Sequence, residues 1–484
     1  MPLKANITYL TTIVAIVLLS GCMIGPDYQK PAMQLPSSFH NADEMQRRLA
    51  TEHQPDLSTW WEGFNDPLLN QYIEKALLNN LDLEQAIARV SQVRALAQGA
   101  KAALLPSAQV NGQATLNRQS LEEPLGRLLN ATPNYDRNGG LYDISGSVSW
   151  DLDIFGGLRK NREAAKAEYL AADAYKSAVQ LAVAAETADT YVLVRTFQSR
   201  IRLTKKRIET QQKLVNLVKL QFSRGLVPEL QLNQAQGALS EASAAIPVLE
   251  NGLEISMNAL DVLVGSFPGT HSAELAQEVA IPNAPAITSA DGPAELLRRR
   301  PDIIVAENKL IAANARIGME MSEYYPKLSL LGLIGSATTE SSNLFSGAAE
   351  KAMGVIGLRW RLFDFGRVDA AVAAAKGKNN EAIASYRLSV LRATADVENA
   401  FSTLVKREAQ ETNLAQSEAA YEKARGSAFA AYKSGALSLI EVLDADERLL
   451  RTQDARVQAK SEATRAAISS FKALGGGWSA DKSS

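Results

Sequence analysis

Two stretches of the chain alternate between apolar and polar positions over the length of a β-strand. From 108 to 116 and from 142 to 154, even positions are apolar, aromatic or glycine, and odd positions carry amide, hydroxyl or acidic groups. A period of two is typical of a strand with one apolar and one polar face. Such strands suit a membrane barrel with lipid outside and water inside, although a sandwich strand with one solvated face has the same pattern. A second, less regular strand pair is predicted at about 326–338 and 353–365.

Each strand pair is followed by a long stretch with helical periodicity. There is no proline between Gly157 and Pro228, and a helix of roughly 65 residues would be about 100 Å long. Apolar residues recur there at alternating three- and four-residue steps, and again after Pro228. Such a seam packs helices side by side, and its alanines permit close approach.

The two halves of the chain carry the same motifs in the same order. Asp82, Pro106 and Gly112 recur 220 positions later as Asp302, Pro326 and Gly332. The motif 150–156 recurs 210 positions later as 360–366, and Phe222–Gly225 recurs as Tyr432–Gly435. The spacing therefore falls from 220 to 210 inside the strand pair, so the first copy has ten extra residues there. Insertions are tolerated in exposed loops, which places them at a hairpin tip.

The N-terminus predicts a lipid anchor. An apolar run from Ile7 to Leu19 precedes Leu19-Ser20-Gly21-Cys22. The run is too short to span a bilayer and is typical of a signal-peptide core. Leu-Ser-Gly-Cys resembles the lipobox of bacterial lipoproteins, which implies acylation of Cys22; the alternative is a chance cysteine after an ordinary signal. Met23 is compatible with the outer membrane. An aspartate at position 23 would instead favour retention at the inner membrane.

The duplication and the lipobox divide the chain into predicted segments. A signal peptide occupies 1–21, a lipid-anchored linker 22–80, the first repeat 81–264, a second linker 265–300, the second repeat 301–474 and a flexible tail 475–484. The first repeat contains strands at about 106–118 and 141–155 and a helix hairpin at 156–264. The helix hairpin of the second repeat occupies 366–474.

Composition excludes several function classes. The formal charge is −2, with no basic blocks, which argues against nucleic acid as a partner. The three histidines are far apart, so the sequence offers no metal site and no nucleophile–base constellation. We therefore expect no enzymatic activity and no cofactor other than the lipid on Cys22.

The strand pairs imply that several subunits contribute strands to one barrel. Four strands cannot close a barrel, and an open sheet edge in lipid is prohibitive. Two subunits would give an eight-stranded interior that side chains nearly fill, whereas three would leave a pore. No segment after the signal is apolar enough for a membrane helix, so any crossing of the bilayer uses strands.

These features together resemble a known family. The lipobox, the duplicated unit, the Phe/Tyr-x-x-Gly turns and the Trp-x-Leu-x-x-Phe-Gly junctions are similar to those of TolC-type outer-membrane factors, in the lipid-anchored OprM-like branch. The resemblance implies an α+β membrane protein with two tandem strand-pair and long-helix-hairpin repeats. It implies a homotrimer whose twelve-stranded outer-membrane β-barrel continues as a periplasmic α-helical barrel. An equatorial region is expected at 28–80, 265–300 and the tail after Leu474.

The resemblance also implies partners and a role. The partners are a periplasmic adaptor protein, a proton-driven inner-membrane pump and outer-membrane lipid. The function is a passive export channel of a tripartite efflux system for drugs or other small solutes. The competing hypothesis is a periplasmic coiled-coil structural lipoprotein without a pore, which would have no use for two amphipathic hairpins.

Two helix turns are the candidate adaptor-docking tip. Glycine ends helices readily in the left-handed conformation, which explains Gly225 and Gly435 without any partner. The resemblance adds that adaptor hairpins dock at these turns, and we expect both roles together. The six docking residues are Arg224, Gly225, Leu226, Ser434, Gly435 and Ala436.

The resemblance also implies a periplasmic gate. Positions that match Tyr432, Ile440 and Asp444 belong to the closed gate in the OprM-like pattern. A ring of acids around a threefold axis would prefer cations; a solvated acidic helix face is the alternative. The basic partner in the pattern falls on Glu447, so the family's salt-bridge latch is not carried over, although Arg448 is adjacent. Gln234 occupies the position of Asp444 in the first repeat, so we expect the second repeat to do the gating.

Overall fold

The computed structural model describes residues 23–48, 55–287 and 292–478. The predicted signal peptide and Cys22 lie outside these residues. The helices are α1 Ala42–Arg48, α2 Pro67–Asn79, α3 Leu81–Ala102, α4 Pro124–Asn130, α5 Gly157–Ser223, α6 Glu229–Leu263, α7 Ser272–Leu275, α8 Gly292–Arg299, α9 Pro301–Met321, α10 Arg367–Lys433 and α11 Leu439–Ala473. The strands are β1 Ser107–Arg118, β2 Asn138–Leu152, β3 Lys327–Thr338 and β4 Glu350–Arg359. Short 3₁₀ segments occur at Leu57–Phe64, Ser322–Tyr324, Ser341–Asn343 and Gly347–Ala349.

The four strands form one antiparallel sheet in the order β1-β2-β3-β4. The register pairs even positions with even positions throughout, as in Val110 with Gly146 and Gly146 with Ile334. All even positions therefore lie on one face of the sheet. Val110, Ile334 and Ile356 are each more than 70% exposed on that face, which agrees with the apolar face predicted to meet lipid.

The second strand pair is apolar on its other face as well. Odd positions carry serine or acidic residues in most of β2, whereas β3 and β4 carry Leu331, Leu333, Met353 and Val355 at odd positions. This explains the weaker alternation of the second copy. The polar face of the sheet is therefore confined mainly to β1 and β2.

Both β2 and β4 begin and end earlier than the predicted 141–155 and 353–365. Strand β2 stops directly before Asp153, which caps the following helix, whereas β4 stops at Arg359, five residues before the corresponding Asp364. The carboxylate of Asp153 accepts the amides of Leu158 and Arg159 at 2.9 and 2.8 Å, and Asp364 accepts the amide of Val368 at 2.9 Å. Local side-chain capping of this kind competes with ladder hydrogen bonds.

The two repeats share a tryptophan contact and the lengths of their long helices. The indole nitrogen of Trp150 donates to the carbonyl oxygen of Leu104, and that of Trp360 donates to the carbonyl oxygen of Tyr324, both at 3.0 Å. Helices α5 and α10 each have 67 residues, and α6 and α11 each have 35. The extra residues of the first copy lie in the β1–β2 connection, as the shift in spacing predicted, and this connection also contains α4.

The chain divides into two compact units, each of which takes segments from both repeats. One comprises the described residues within 1–31, 91–171 and 307–385 and holds the sheet; the other comprises the described residues within 32–90, 172–306 and 386–484. In the second unit, Trp60 stacks on Phe471 with ring centroids 5.4 Å apart, and the Tyr72 hydroxyl donates to Glu274 at 3.0 Å. Segments from 57–79, 265–277 and 471–477 thus pack together, although they are distant in sequence. No helix in the described residues is both long enough and apolar enough to cross a bilayer.

Candidate functional site

The two long hairpins are closed by matching glycine turns. Gly225 has φ +71° and Gly435 has φ +76°. The amide of Gly225 donates to the carbonyl of Phe222 at 2.9 Å, and the amide of Leu226 donates to that of Gln221 at 2.9 Å. The same pair of bonds closes the second turn. The left-handed conformation that the sequence predicted is confirmed at both positions, and it satisfies the last carbonyls of each helix.

The turns present an open surface. A Cβ added to Gly225 or Gly435 would meet no atom within 4 Å. All six predicted docking residues are exposed, and the Leu226 side chain is 68% exposed. These glycines are therefore required by backbone conformation, and the space around them is free.

An apolar cluster behind the turns joins the two hairpins. Its buried members are Leu214, Val215, Val218, Ala235, Tyr432, Leu439 and Val442. A capping box formed by Ser438 and Glu441 is present at the start of α11. It fixes the entry of this helix into the cluster, because both side chains satisfy backbone amides that the helix leaves unpaired.

Tyr432 links the hairpins within this cluster. Its side chain is buried, and its hydroxyl donates to the Gln221 side-chain oxygen at 2.8 Å. Burial raises the pKa of the Tyr432 hydroxyl above its usual range, so the group stays a neutral donor. Gln221 is a partner that sequence reasoning did not find, because the two positions are 211 residues apart.

We expect Tyr432→Phe and Gln221→Ala each to weaken the contact between the hairpin ends by about 1 kcal/mol. In planar bilayers this should appear as more frequent opening. The double variant should open no more often than the more affected single variant, because both substitutions remove the same bond. Additive effects would show that the bond does not hold the hairpins together.

The other two predicted gate residues lie on a cleft. Ile440 is 60% exposed, and it lines a cavity of about 1010 Å³ together with Asp444 and residues of α5 and α6. Tyr432 is not among the lining residues of that cavity. The structure therefore brings Ile440 and Asp444 together and places Tyr432 in the apolar cluster next to the turn.

Asp444 pairs within its own helix. The Arg448 guanidinium donates to its carboxylate at 2.8 Å, four residues further along α11. This hydrogen bond raises the pKa of Arg448 above its usual range. Arg448, which is next to Glu447 in sequence, is therefore the partner of Asp444. This pair lies along α11 and does not join two helices. A separate ion pair, Arg200 of α5 with Asp454 of α11 at 2.6 Å, joins the two hairpins.

Comparison with known proteins shows which family this chain belongs to. A sequence model described as outer membrane efflux protein matches residues 72–266 and 292–476, which correspond to the two repeats. The chain belongs to the outer membrane efflux protein family. This confirms the predicted fold class, the outer-membrane location and the role in export, and members of this family are channels rather than enzymes.

Relatives and solved structures of this family cover nearly the whole chain. Nodulation protein T of Rhizobium leguminosarum bv. trifolii is 31% identical over 458 residues, 94% of each chain. The toluene efflux pump outer membrane protein TtgF of Pseudomonas putida is 30% identical over 481 residues, 97% of each chain. The outer-membrane channel OprN has a TM-score of 0.84 at 29% identity, covering 94% of this efflux protein and all of the OprN chain.

Proposed function

We propose that three copies of this efflux protein form a passive duct for drugs and other small solutes. Three four-stranded sheets would give a twelve-stranded barrel, wide enough for a pore. The observation that supports this most strongly is the sheet itself. The face of the sheet that carries the even-numbered positions is apolar and exposed. In the described residues, the outer strands β1 and β4 each pair with one strand only. Closure by neighbouring copies would satisfy these edges in lipid.

The proposal includes two further partners and an anchor. A periplasmic adaptor would dock at the exposed glycine turns, and a proton-driven inner-membrane pump would supply the energy, because the duct has no energy source of its own. An acyl group on Cys22 would anchor the chain in the outer membrane. Relatives that include a toluene efflux pump component and a probable outer membrane lipoprotein, SilC of Salmonella typhimurium, support the substrate class and the anchor.

Purified protein in planar bilayers tests the duct directly. We expect discrete conductance steps with a long-lived low-conductance state, and a trimer by light scattering after subtraction of detergent. Membrane-bound protein without any conductance would instead favour the structural lipoprotein.

The acidic gate residue has its own test. We expect Asp444→Ala to change the closed-state conductance and to lower the preference for cations several-fold, because it removes one negative charge per subunit from the proposed ring. Gln234→Ala is the matched control, since it alters the equivalent position of the first repeat without changing charge. An unchanged closed state in Asp444→Ala, or an equal change in both variants, would remove Asp444 from the gate.

A further inference from the structure

The residues that follow Cys22 are held along the surface of the sheet-containing unit. The amide of Ile24 donates to the carbonyl of Phe155 at 3.2 Å. The Asn314 side chain donates to the carbonyl of Pro26 at 3.0 Å. Glu307 accepts from the Tyr28 hydroxyl at 3.3 Å and from the Lys30 ammonium at 2.8 Å. We call residues 23–30 the N-terminal strap.

The strap follows one face of α9. Glu307, Asn314 and Gly318 are spaced by seven and four residues, which puts them on the same side of a helix. The neighbouring face of α9 is occupied by Ala312 and Ala315, which pack against alanines of α5. The strap therefore lies over a surface that the packing of α9 on α5 has already shaped.

Two glycines fit the strap to this surface. Gly25 has φ +118°, and a Cβ on it would lie 2.4 Å from the Cα of Gly318. A Cβ on Gly318 would lie 2.8 Å from the carbonyl oxygen of Ile24 and 3.0 Å from Cγ of Lys160. Lys160 is only 1% exposed, and its ammonium pairs with Glu163 at 2.9 Å. Backbone approach this close is possible only for glycine.

The first residue of the strap, Met23, lies at the middle of the sheet. Met23 contacts Gly156, whose added Cβ would lie 2.9 Å from Cγ of Met23. Gly156 follows β2, and at this end of the sheet Leu152 pairs with Leu328 of β3. Phe155 and Tyr325 stack across the junction with ring centroids 4.8 Å apart. Strands β2 and β3 are the inner strands, so this position is away from both edges of the sheet.

We propose that the N-terminal strap is a positioning element that delivers the acylated Cys22 to the β2–β3 junction. The acyl chains then enter the membrane beside the apolar face formed by Trp150, Leu152, Leu328 and Leu330. Edges β1 and β4 stay free of lipid for pairing with neighbouring copies. This inference rests on the proposed acylation of Cys22. The strap contacts give acylation a defined place on the protein in addition to membrane affinity.

Gly318→Ala is the sharpest variant. Alanine is favoured over glycine in a helix by up to about 1 kcal/mol, so the substitution should not destabilise α9 itself. The new Cβ should, however, collide with the strap. Gly99→Ala and Gly377→Ala are matched controls, because a Cβ at either helical position meets no atom within 4 Å. Asn314→Ala removes the bond to Pro26 without adding an atom, and it serves if Gly318→Ala does not fold.

Chymotrypsin and intact mass test the docking. Cleavage after Tyr28 separates the acylated peptide from the body of the protein, and the mass of uncut protein reports acylation independently. We expect the purified wild type and both controls to be cut slowly, and Gly318→Ala about tenfold faster, as for a segment whose local opening has become easier. Equal rates in Gly318→Ala and the controls would overturn the docked strap. A wild-type mass without acyl groups would instead contradict the proposed lipidation.

A photoactivatable palmitate analogue, incorporated by growing cells, tests the placement. We expect cross-links from Cys22 to peptides that contain 150–155 or 325–330, and fewer of them in Gly318→Ala. Cross-links to β1 or β4, or to phospholipid alone, would overturn the assignment of the acyl chains to the β2–β3 junction.

Discussion

Replacing Gly435 with leucine should abolish export while leaving assembled protein in the outer membrane. The residue has φ +76°, and a side chain in this conformation costs about 1–2 kcal/mol. A Cβ there meets no atom within 4 Å, so the hairpin should keep its fold. The leucine would project from the exposed turn where the adaptor is proposed to dock. Drug accumulation in cells should rise to the level of a strain that lacks the protein.

A matched control separates docking from backbone strain. Gly269 also has a left-handed conformation, φ +90°, and open space around its Cβ, but it lies outside the hairpin turns. Gly269→Leu should carry a similar conformational cost and retain export. Gly225→Leu should behave like Gly435→Leu. Normal export by both hairpin variants, or equal loss in Gly269→Leu, would contradict docking at the turns.

Arg195→Met should destabilise the protein by about 3 kcal/mol or more, because it leaves three buried neutral acceptors unpaired at about 1–3 kcal/mol each. Arg195 is fully buried and donates to the Gln198 side chain at 2.8 Å, the Gln277 carbonyl at 2.7 Å and the Tyr191 hydroxyl at 3.0 Å. Tyr191 in turn donates to Asp66 at 2.7 Å. Burial raises the pKa of Tyr191 far above its usual range, so it remains a donor. The network ties α5 to the start of α2 and to the segment after α7.

The expected readout is a clear fall in the melting temperature of detergent-purified protein. Arg200→Met is the control on the same helix, because the Arg200–Asp454 pair is partly exposed and such pairs contribute up to about 1 kcal/mol. Tyr191→Phe should give an intermediate fall. If Arg195→Met and Arg200→Met melt at the same temperature, the network does not hold these segments together.

Local features were predictable where one residue type determines the conformation. Alternation predicted the position and facing of β1 and β2, and glycine predicted both hairpin turns. The contacts that fix the tertiary structure leave no such pattern. Gln221 with Tyr432, Arg195 with Gln277 and Gly25 with Gly318 each join distant positions, and each depends on how helices pack. The end of β2 was misplaced because Asp153 caps the next helix, a role that alternation does not reveal.

The free edges of the sheet have a genetic consequence. Since β1 and β4 each pair with one strand within the described residues, every proposed barrel would combine products of separate translation events. In a cell that expresses equal amounts of normal and Gly435→Leu subunits, random mixing would leave roughly one trimer in eight without a defective copy. A faulty allele should therefore be dominant, and drug resistance should fall much further than the halved gene dosage alone would cause.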